Sequence, residues 1–329
     1  MSGHAIGHRA TIEIHLAPDD LRAALRDDAR RGLTDEPKHL PPKWFYDDRG
    51  SQLFDHITRL PEYYPTRRET EILEREAASI AARTGATTLL ELGSGTSTKT
   101  RLLIDALAGA GALTRIVVFD VSEPVLRTAA PQLAERYHVD VHAIVGDFER
   151  HLDRLPTDDR TLVAFLGGTI GNLRPHERAG FLHQVGERLG PEGHLLLGTD
   201  LVKDPGRLVA AYDDAAGVTA EFNRNVLHVL NRELDGDLRP DRFRHVALWN
   251  PTERWIEMHL EADGAQDARL EALSLDVHLD DGERIHTEIS AKLTPDGVDE
   301  ELAAAGLEPV AAWTDRAGDF RLTLARASP

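Results

Sequence analysis

The sequence predicts an α/β protein: a doubly wound, Rossmann-like parallel sheet joined to a second, α+β module. Three observations predict it. Short branched-aliphatic runs alternate with helical patterns between residues 66 and 202. Strand follows strand between residues 243 and 293, with one polar face. A glycine-bearing turn, "ELGSGTSTKT" (Glu91 to Thr100), links the first run of the alternating stretch to its helix.

The elements follow in order. The first sixty-five residues hold a strand-like run, "TIEIHL", a polar helix, "PDDLRAALRDDARRGL", and a Pro- and aromatic-rich stretch, "PPKWFYDDRGSQLFDHITRLPEYYPT". A helix then reads through "ETEILEREAASIAART". The runs "ATTLLEL", "RIVVFDV", "DVHAIVGDF", "RTLVAFLG" and "GHLLLGTDLV" are separated by segments such as "TKTRLLIDALAGAG" and "EPVLRTAAPQLAERY". Strands apolar on both faces and spaced by helices belong to a parallel sheet covered on both sides. Beyond Asp204 a long helical region leads to "FRHVALWN", "RWIEMHLEA", "RLEALSLDVHL" and "ERIHTEISAKL", which read as antiparallel strands. The end reads as helix, strand, turn and strand. Residues 66–202 with 291–329 therefore form the sheet domain, and residues 13–65 with 203–290 the second domain.

Composition narrows the function. The net charge of −18 repels nucleic acid and anionic membranes. The absence of cysteine excludes disulfides, thiolate metal sites and a cysteine nucleophile. No apolar run approaches the roughly 20 residues that span a bilayer, and the N-terminus lacks a secretory apolar core. A cytoplasmic protein is expected. The sixteen histidines show no metal-ligand spacing with carboxylates, so no metal is expected.

The glycine turn has three readings. A phosphate loop requires G-x-x-x-x-G-K-[ST]; Lys99 and Thr100 fit from Gly93, but Thr98 takes the second glycine's place. The dinucleotide pattern G-x-G-x-x-G fails at the same residue. S-adenosylmethionine fits better. Glu91 ends the first strand, and Gly93 and Gly95 let the backbone approach a ligand. Asp120 ends the second strand, where a carboxylate can accept from both ribose hydroxyls. Asp147 ends the third, placed to accept from the adenine amino group with Phe148 flanking the ring, while Lys99 can pair with the donor's carboxylate.

With those residues in view, the chain resembles the L-histidine Nα-methyltransferases of ergothioneine biosynthesis. The likeness runs from "LPPKWFYD" to "WTDRAGDF" and rests most on "ELGSGTSTKTR", "FLGGTIGNL", "GTDLVKD" and "AYDDAAGVTAEFNRNVL". It implies a class I S-adenosylmethionine-dependent methyltransferase domain with a substrate-binding domain. It further implies a monomer that places three methyl groups on the α-amino group of L-histidine, giving hercynine. By position, Tyr63 and Asn172 hold the amino acid's polar end and are the catalytic pair, and Tyr212 joins them at the carboxylate. Glu288 and Ser290 read the imidazole, with Phe54 and Met258 as apolar neighbours. Tyr46, Gly93, Gly95, Lys99, Asp120, Asp147, Phe148 and Gly167 correspond on the donor side, with Gly167 also counted among the substrate-binding residues.

The imidazole pair is chemically apt. In "ERIHTEISAKL", strict alternation puts Arg284, His286, Glu288, Ser290 and Lys292 on one face and Ile285, Thr287 and Ile289 on the other. Neutral imidazole offers one N–H donor and one bare nitrogen; a carboxylate takes the first and a hydroxyl serves the second. Read without the family, such a face is an exposed polar strand. Another aromatic amino acid as substrate, a non-catalytic donor-binding protein and a nucleotide hydrolase are the competing readings. The charges of "RRET" and "LEREAA" read as a solvated helix face, and the paired aspartates of "YDDAA" as complements of a helix dipole.

Overall fold

The computed structural model describes residues 9–95, 99–148 and 150–328, so Thr98, on which the loop readings turned, lies outside the described residues. Eight strands form the large sheet, in the order β1 (Ala10–Ile14), β4 (Asp140–Val145), β3 (Arg115–Asp120), β2 (Thr88–Leu92), β5 (Thr161–Phe165), β6 (His194–Asp200), β13 (Phe320–Ala327) and β12 (Leu307–Thr314). The first six are parallel. β13 is antiparallel to both of its neighbours. The chain leaves β2 toward β3 and β4, then crosses to β5 and β6 on the other side. Such a reversal opens a crevice at the strands' carboxyl ends, and the Gly93–Gly95 turn stands there.

Both faces are covered, which is why the strands read as continuous apolar runs. On one face Leu89, Ile116 and Val118 pack with Ile72 and Ile80 of α3 (Tyr64–Thr84), Leu103 of α4 (Thr100–Gly109) and Leu133 of α5 (Glu123–Tyr137). On the other, Leu90, Val117 and Phe165 pack with Phe181 of α6 (Pro175–Arg188) and Leu302 of α9 (Pro295–Ala304). Gly85 stops α3 in the left-handed conformation, and its N–H donates to the Ala81 carbonyl at 3.0 Å.

The second module has its own core. α7 (Pro205–Tyr212) and α8 (Val218–Leu234) pack on a three-stranded antiparallel sheet of β7 (Phe243–Asn250), β8 (Trp255–Ala262) and β11 (Arg284–Ala291), and α1 (Pro18–Thr34) and α2 (Asp48–Ile57) pack on α8. Asp47 caps α2 by accepting from the Gly50 N–H at 2.8 Å, and it also accepts from Asn225 at 2.7 Å and Arg232 at 2.9 Å on α8. One carboxylate thus starts a helix and pins it to its neighbour.

Three expectations change. β1, whose residues 13 and 14 were assigned to the second domain, pairs in parallel with β4 at the edge of the large sheet. Its side chains are mostly exposed, so the backbone ladder rather than apolar burial holds it, and a hydrophobicity pattern cannot place it. "RLEALSLDVHL" is not one strand: β9 (Gln266–Leu270) and β10 (Leu275–Leu279) form a hairpin closed by a 3₁₀ turn and by Ser274 at φ 49°. The long helical region breaks between α7 and α8, where Asp214 accepts from the N–H groups of Val218 and Thr219 at 3.0 and 2.7 Å. Of the paired aspartates Asp214 serves a helix start, whereas Asp213 ends α7.

Candidate active site

A cavity of about 1840 Å³ is lined by the tips of the large sheet and by the second module. On the sheet side, Gly93 and Gly95 turn the chain at φ 68° and 47°, in the left-handed region that glycine enters most readily. A Cβ at either position would meet nothing within 4 Å, so the outer surface of the turn is open. The Asp120 carboxylate accepts from the Gly95 N–H at 2.8 Å and the Ser122 N–H at 2.9 Å. Burial raises its pKa against the pull of these bonds. Lys43 lies 3.8 Å from Asp147 and 3.1 Å from Asp28. Phe148 stands edge-on to Phe165 and Phe181 at 5.4 and 5.9 Å, which anchors its ring beside Asp147. Tyr46, Gly93, Gly95, Lys99, Asp120, Asp147 and Phe148 all line the cavity.

The Lys99 ammonium is ion-paired with Glu69 of α3. Glu69 also accepts from the Gly167 N–H, at 2.8 and 3.0 Å. One buried carboxylate therefore fixes both the expected donor lysine and Gly167. The solvated-face reading of "RRET" fails here, because Glu69 is completely buried.

The opposite wall brings together Phe54, Tyr63, Asn172, Tyr212, Glu288 and Ser290. Phe54 packs on Tyr46, Tyr63 and Phe222 with centroids 5.6, 6.2 and 5.9 Å apart. Tyr63 and Tyr212 meet edge-on at 6.2 Å. Met258 departs from expectation: it is buried in the second module's core instead of lining the cavity. Asn172 ends a 3₁₀ turn, Thr169–Asn172, packed against β6 and β11.

The register of β11 overturns the strict alternation. Ile285 pairs with Leu260 and His286 with His259, but Glu288 pairs with Met258, leaving Thr287 as an extra residue. The Thr287 hydroxyl donates to the Met258 carbonyl at 3.0 Å. Directly paired residues share a face, so Glu288 and Ser290 lie on the face of Ile285, away from His286. The bulge turns an expected polar surface stripe inward. Both residues are buried, and the exposed-strand reading does not hold.

Burial sets the electrostatics of this wall. It pushes the Glu288 carboxyl up to about 8, against the opposing field of Lys292. It also holds the phenols of Tyr46, Tyr63 and Tyr212 well above their ordinary value, reinforced by nearby acidic groups, so all three remain donors at neutral pH. Ser290 Oγ and Tyr212 OH are 2.7 Å apart. No group of three or more His, Asp or Glu able to hold a metal occurs among the described residues.

The sequence matches the family model described as histidine-specific methyltransferase, SAM-dependent, over residues 25–327. The chain belongs to this family. Among its relatives, histidine N-alpha-methyltransferase of Mycolicibacterium smegmatis is 57% identical over 312 residues, covering 94% of this chain and 97% of that protein. The protein of the same name from Mycobacterium tuberculosis is 55% identical, with 96% and 99% covered. Ergothioneine biosynthesis protein 1 of Neurospora crassa is 32% identical over 85% of this chain but only 32% of its own length. The fold is that of a class I S-adenosylmethionine-dependent methyltransferase, as the strand order and the crevice at β2 show.

Within this histidine-specific methyltransferase, sequence reasoning passed over several residues in or behind the site. Glu69 carried a legible signal: it precedes Ile72 and Leu73 by three and four positions and so falls on the buried stripe of α3. Lys292 carried none, since the strand pattern placed it on a polar face, yet it is almost wholly buried. His245 bonds the Tyr212 carbonyl through Nε2 at 2.7 Å. The Asn223 amide donates to its Nδ1 at 2.8 Å, which leaves the ring proton on Nε2. That link crosses from β7 to α7 and has no sequence periodicity.

Proposed function

We propose that the protein transfers three methyl groups from S-adenosylmethionine to the α-amino group of L-histidine, giving Nα,Nα,Nα-trimethyl-L-histidine (hercynine). The observation that carries this reading is a single cavity lined by Gly93, Gly95 and Asp120 at the strand tips and by Tyr63, Tyr212, Glu288 and Ser290 opposite. The half-buried Asp120 carboxylate and the open glycine turn suit a ribose diol and its adjoining chain; Asp147 and Phe148 suit an adenine edge and face. When bound, the donor supplies an electrophilic methyl carbon on its sulfonium.

The chain's own work is then positioning. Tyr63 and Asn172 orient the α-amino group so that its lone pair faces the donor side, and each transfer needs that nitrogen deprotonated. Tyr212 holds the carboxylate as a fixed point while methyl groups accumulate. Glu288 accepts from the ring N–H and Ser290 donates to the bare ring nitrogen, and sites that pair both polar edges reject analogues lacking them by about 10⁴-fold or more. Holding two reactants in line contributes up to about 7–11 kcal/mol. In this reading the protein is a cytoplasmic monomer acting on a free amino acid, and its charge of −18 accords with the absence of a nucleic-acid substrate.

Incubation with methyl-labelled S-adenosylmethionine and a panel of free amino acids tests the proposal. Label in histidine alone supports it. Label in tyrosine or tryptophan instead moves the substrate assignment, and label in no amino acid overturns it.

A further inference from the structure

Lys292 has no place in the roles described so far, although it is among the largest fully buried side chains of the protein. It lies just past β11, and its ammonium has three partners. These are Asp200 Oδ2 at 2.9 Å, Ser290 Oγ at 2.7 Å and Tyr212 OH at 2.9 Å. Asp200 in turn is held by Lys203 at 2.5 Å and by the Tyr64 hydroxyl at 2.8 Å. All three ammonium protons are therefore spent inside the protein, and none is left for a ligand.

Donor and acceptor counting gives the consequence. An ammonium has no acceptor, so both hydroxyls must accept from Lys292. Between themselves, one of the two donates to the other across 2.7 Å. Whichever way that bond runs, the remaining O–H is left over and is free to donate into the cavity that both residues line. When a ligand offers two acceptors, both hydroxyls can turn outward. The ammonium bonds and the bond between the hydroxyls together occupy three of the pair's four lone pairs; without the ammonium two of those are released, one on each oxygen, and the pair accepts from a ligand N–H more readily.

Resting on the histidine methyltransferase reading above, we infer that Lys292 is a positioning residue that fixes the Ser290–Tyr212 hydroxyl pair as proton donors, and so selects a ring carrying a bare nitrogen. The ring-reading chemistry of Ser290 is thus set by a neighbour whose three ammonium protons are taken up within the protein. Asp200 supplies the ammonium's counter-charge, and Lys203 and the Tyr64 hydroxyl hold Asp200 in place.

The test compares kcat/KM of the full-length protein for histidine and for β-(pyrrol-2-yl)alanine, whose ring keeps an N–H but has no bare nitrogen. The wild type favours histidine strongly. In Lys292→Met the ratio of the two falls at least about tenfold, because the hydroxyls are no longer biased toward donating to histidine's bare nitrogen while the lone pairs released accept from the pyrrole N–H. Both substrates carry the same carboxylate and amine, so a general weakening of the site lowers both together and leaves the ratio unchanged. That result overturns the inference. Lys292→Met leaves Asp200 with one cation fewer, so the double variant Asp200→Asn/Lys292→Met, which removes both charges, is measured beside it. Donor binding by calorimetry shows which of the two retains the fold, and the ratio is read there. A wild type that methylates neither compound overturns the functional reading itself, an outcome distinct from an unchanged ratio in the variant.

Discussion

Glu288 makes the stability of this protein depend on pH in a direction opposite to that of most carboxylates. Its pKa rises from 4.5 in the unfolded chain to about 8 in the folded one, chiefly through burial. Between those values the folded state holds a proton that the unfolded state has lost, so stability falls as pH rises. The slope is about 1.4 kcal/mol per pH unit, and across the window it accumulates to about 4–5 kcal/mol. Glu288→Gln keeps the shape and cannot ionise, so it escapes this loss. The ligand-free variant and wild type should therefore have nearly the same relative stability at every pH below 4.5. Their difference should then grow in the variant's favour up to pH 8 and stay flat above. At roughly 2 °C per kcal/mol for a chain of this size, the gain is about 5–10 °C in melting temperature. Paired melts or urea titrations from pH 5 to 9 measure it, and other titrating groups cancel in the comparison when they are independent of this one. A wild-type-minus-variant difference that does not change with pH would refute the reasoning, because it would mean the carboxyl titrates normally. The same substitution should weaken histidine binding above about pH 8, where the wild-type carboxyl is ionised and accepts more strongly from the ring N–H than an uncharged amide does.

Asp120→Asn should lower affinity for S-adenosylmethionine roughly 10–100-fold, the loss of a charge-assisted hydrogen bond of about 1.5–3 kcal/mol; unchanged affinity in calorimetry would remove Asp120 from the donor site. Tyr212→Phe should weaken histidine binding far more than donor binding, and an equal loss of both would reject its role at the carboxylate. Glu69→Ala leaves the Gly167 N–H without its acceptor and Lys99 without its counter-charge. It should reduce stability by about 2–4 kcal/mol and weaken donor binding; a urea midpoint equal to that of the wild type would show that the carboxylate is dispensable.

Much of this protein was legible in one dimension. Alternating helices and doubly buried strands announce a parallel sheet because each pattern is a local period, and the chemistry at the ends of β2, β3 and β4 follows from where strand runs stop. Asp120, Asp147 and the glycines could therefore be named from residue order, and all of them reach one cavity. The rest depended on contacts between distant segments. The phase of β11 changes at Thr287 because of its pairing with β8, so a two-residue period carried past that point assigns Glu288 and Ser290 to the wrong face. β1 is held by an edge ladder 130 residues away, with little apolar burial to betray it. Glu69 and Lys292 are charges whose burial is tolerable only beside Lys99, Asp200, Ser290 and Tyr212. An ionisable residue reads as solvent-facing until its partners are known, and those partners come from elements that meet only when the chain has folded.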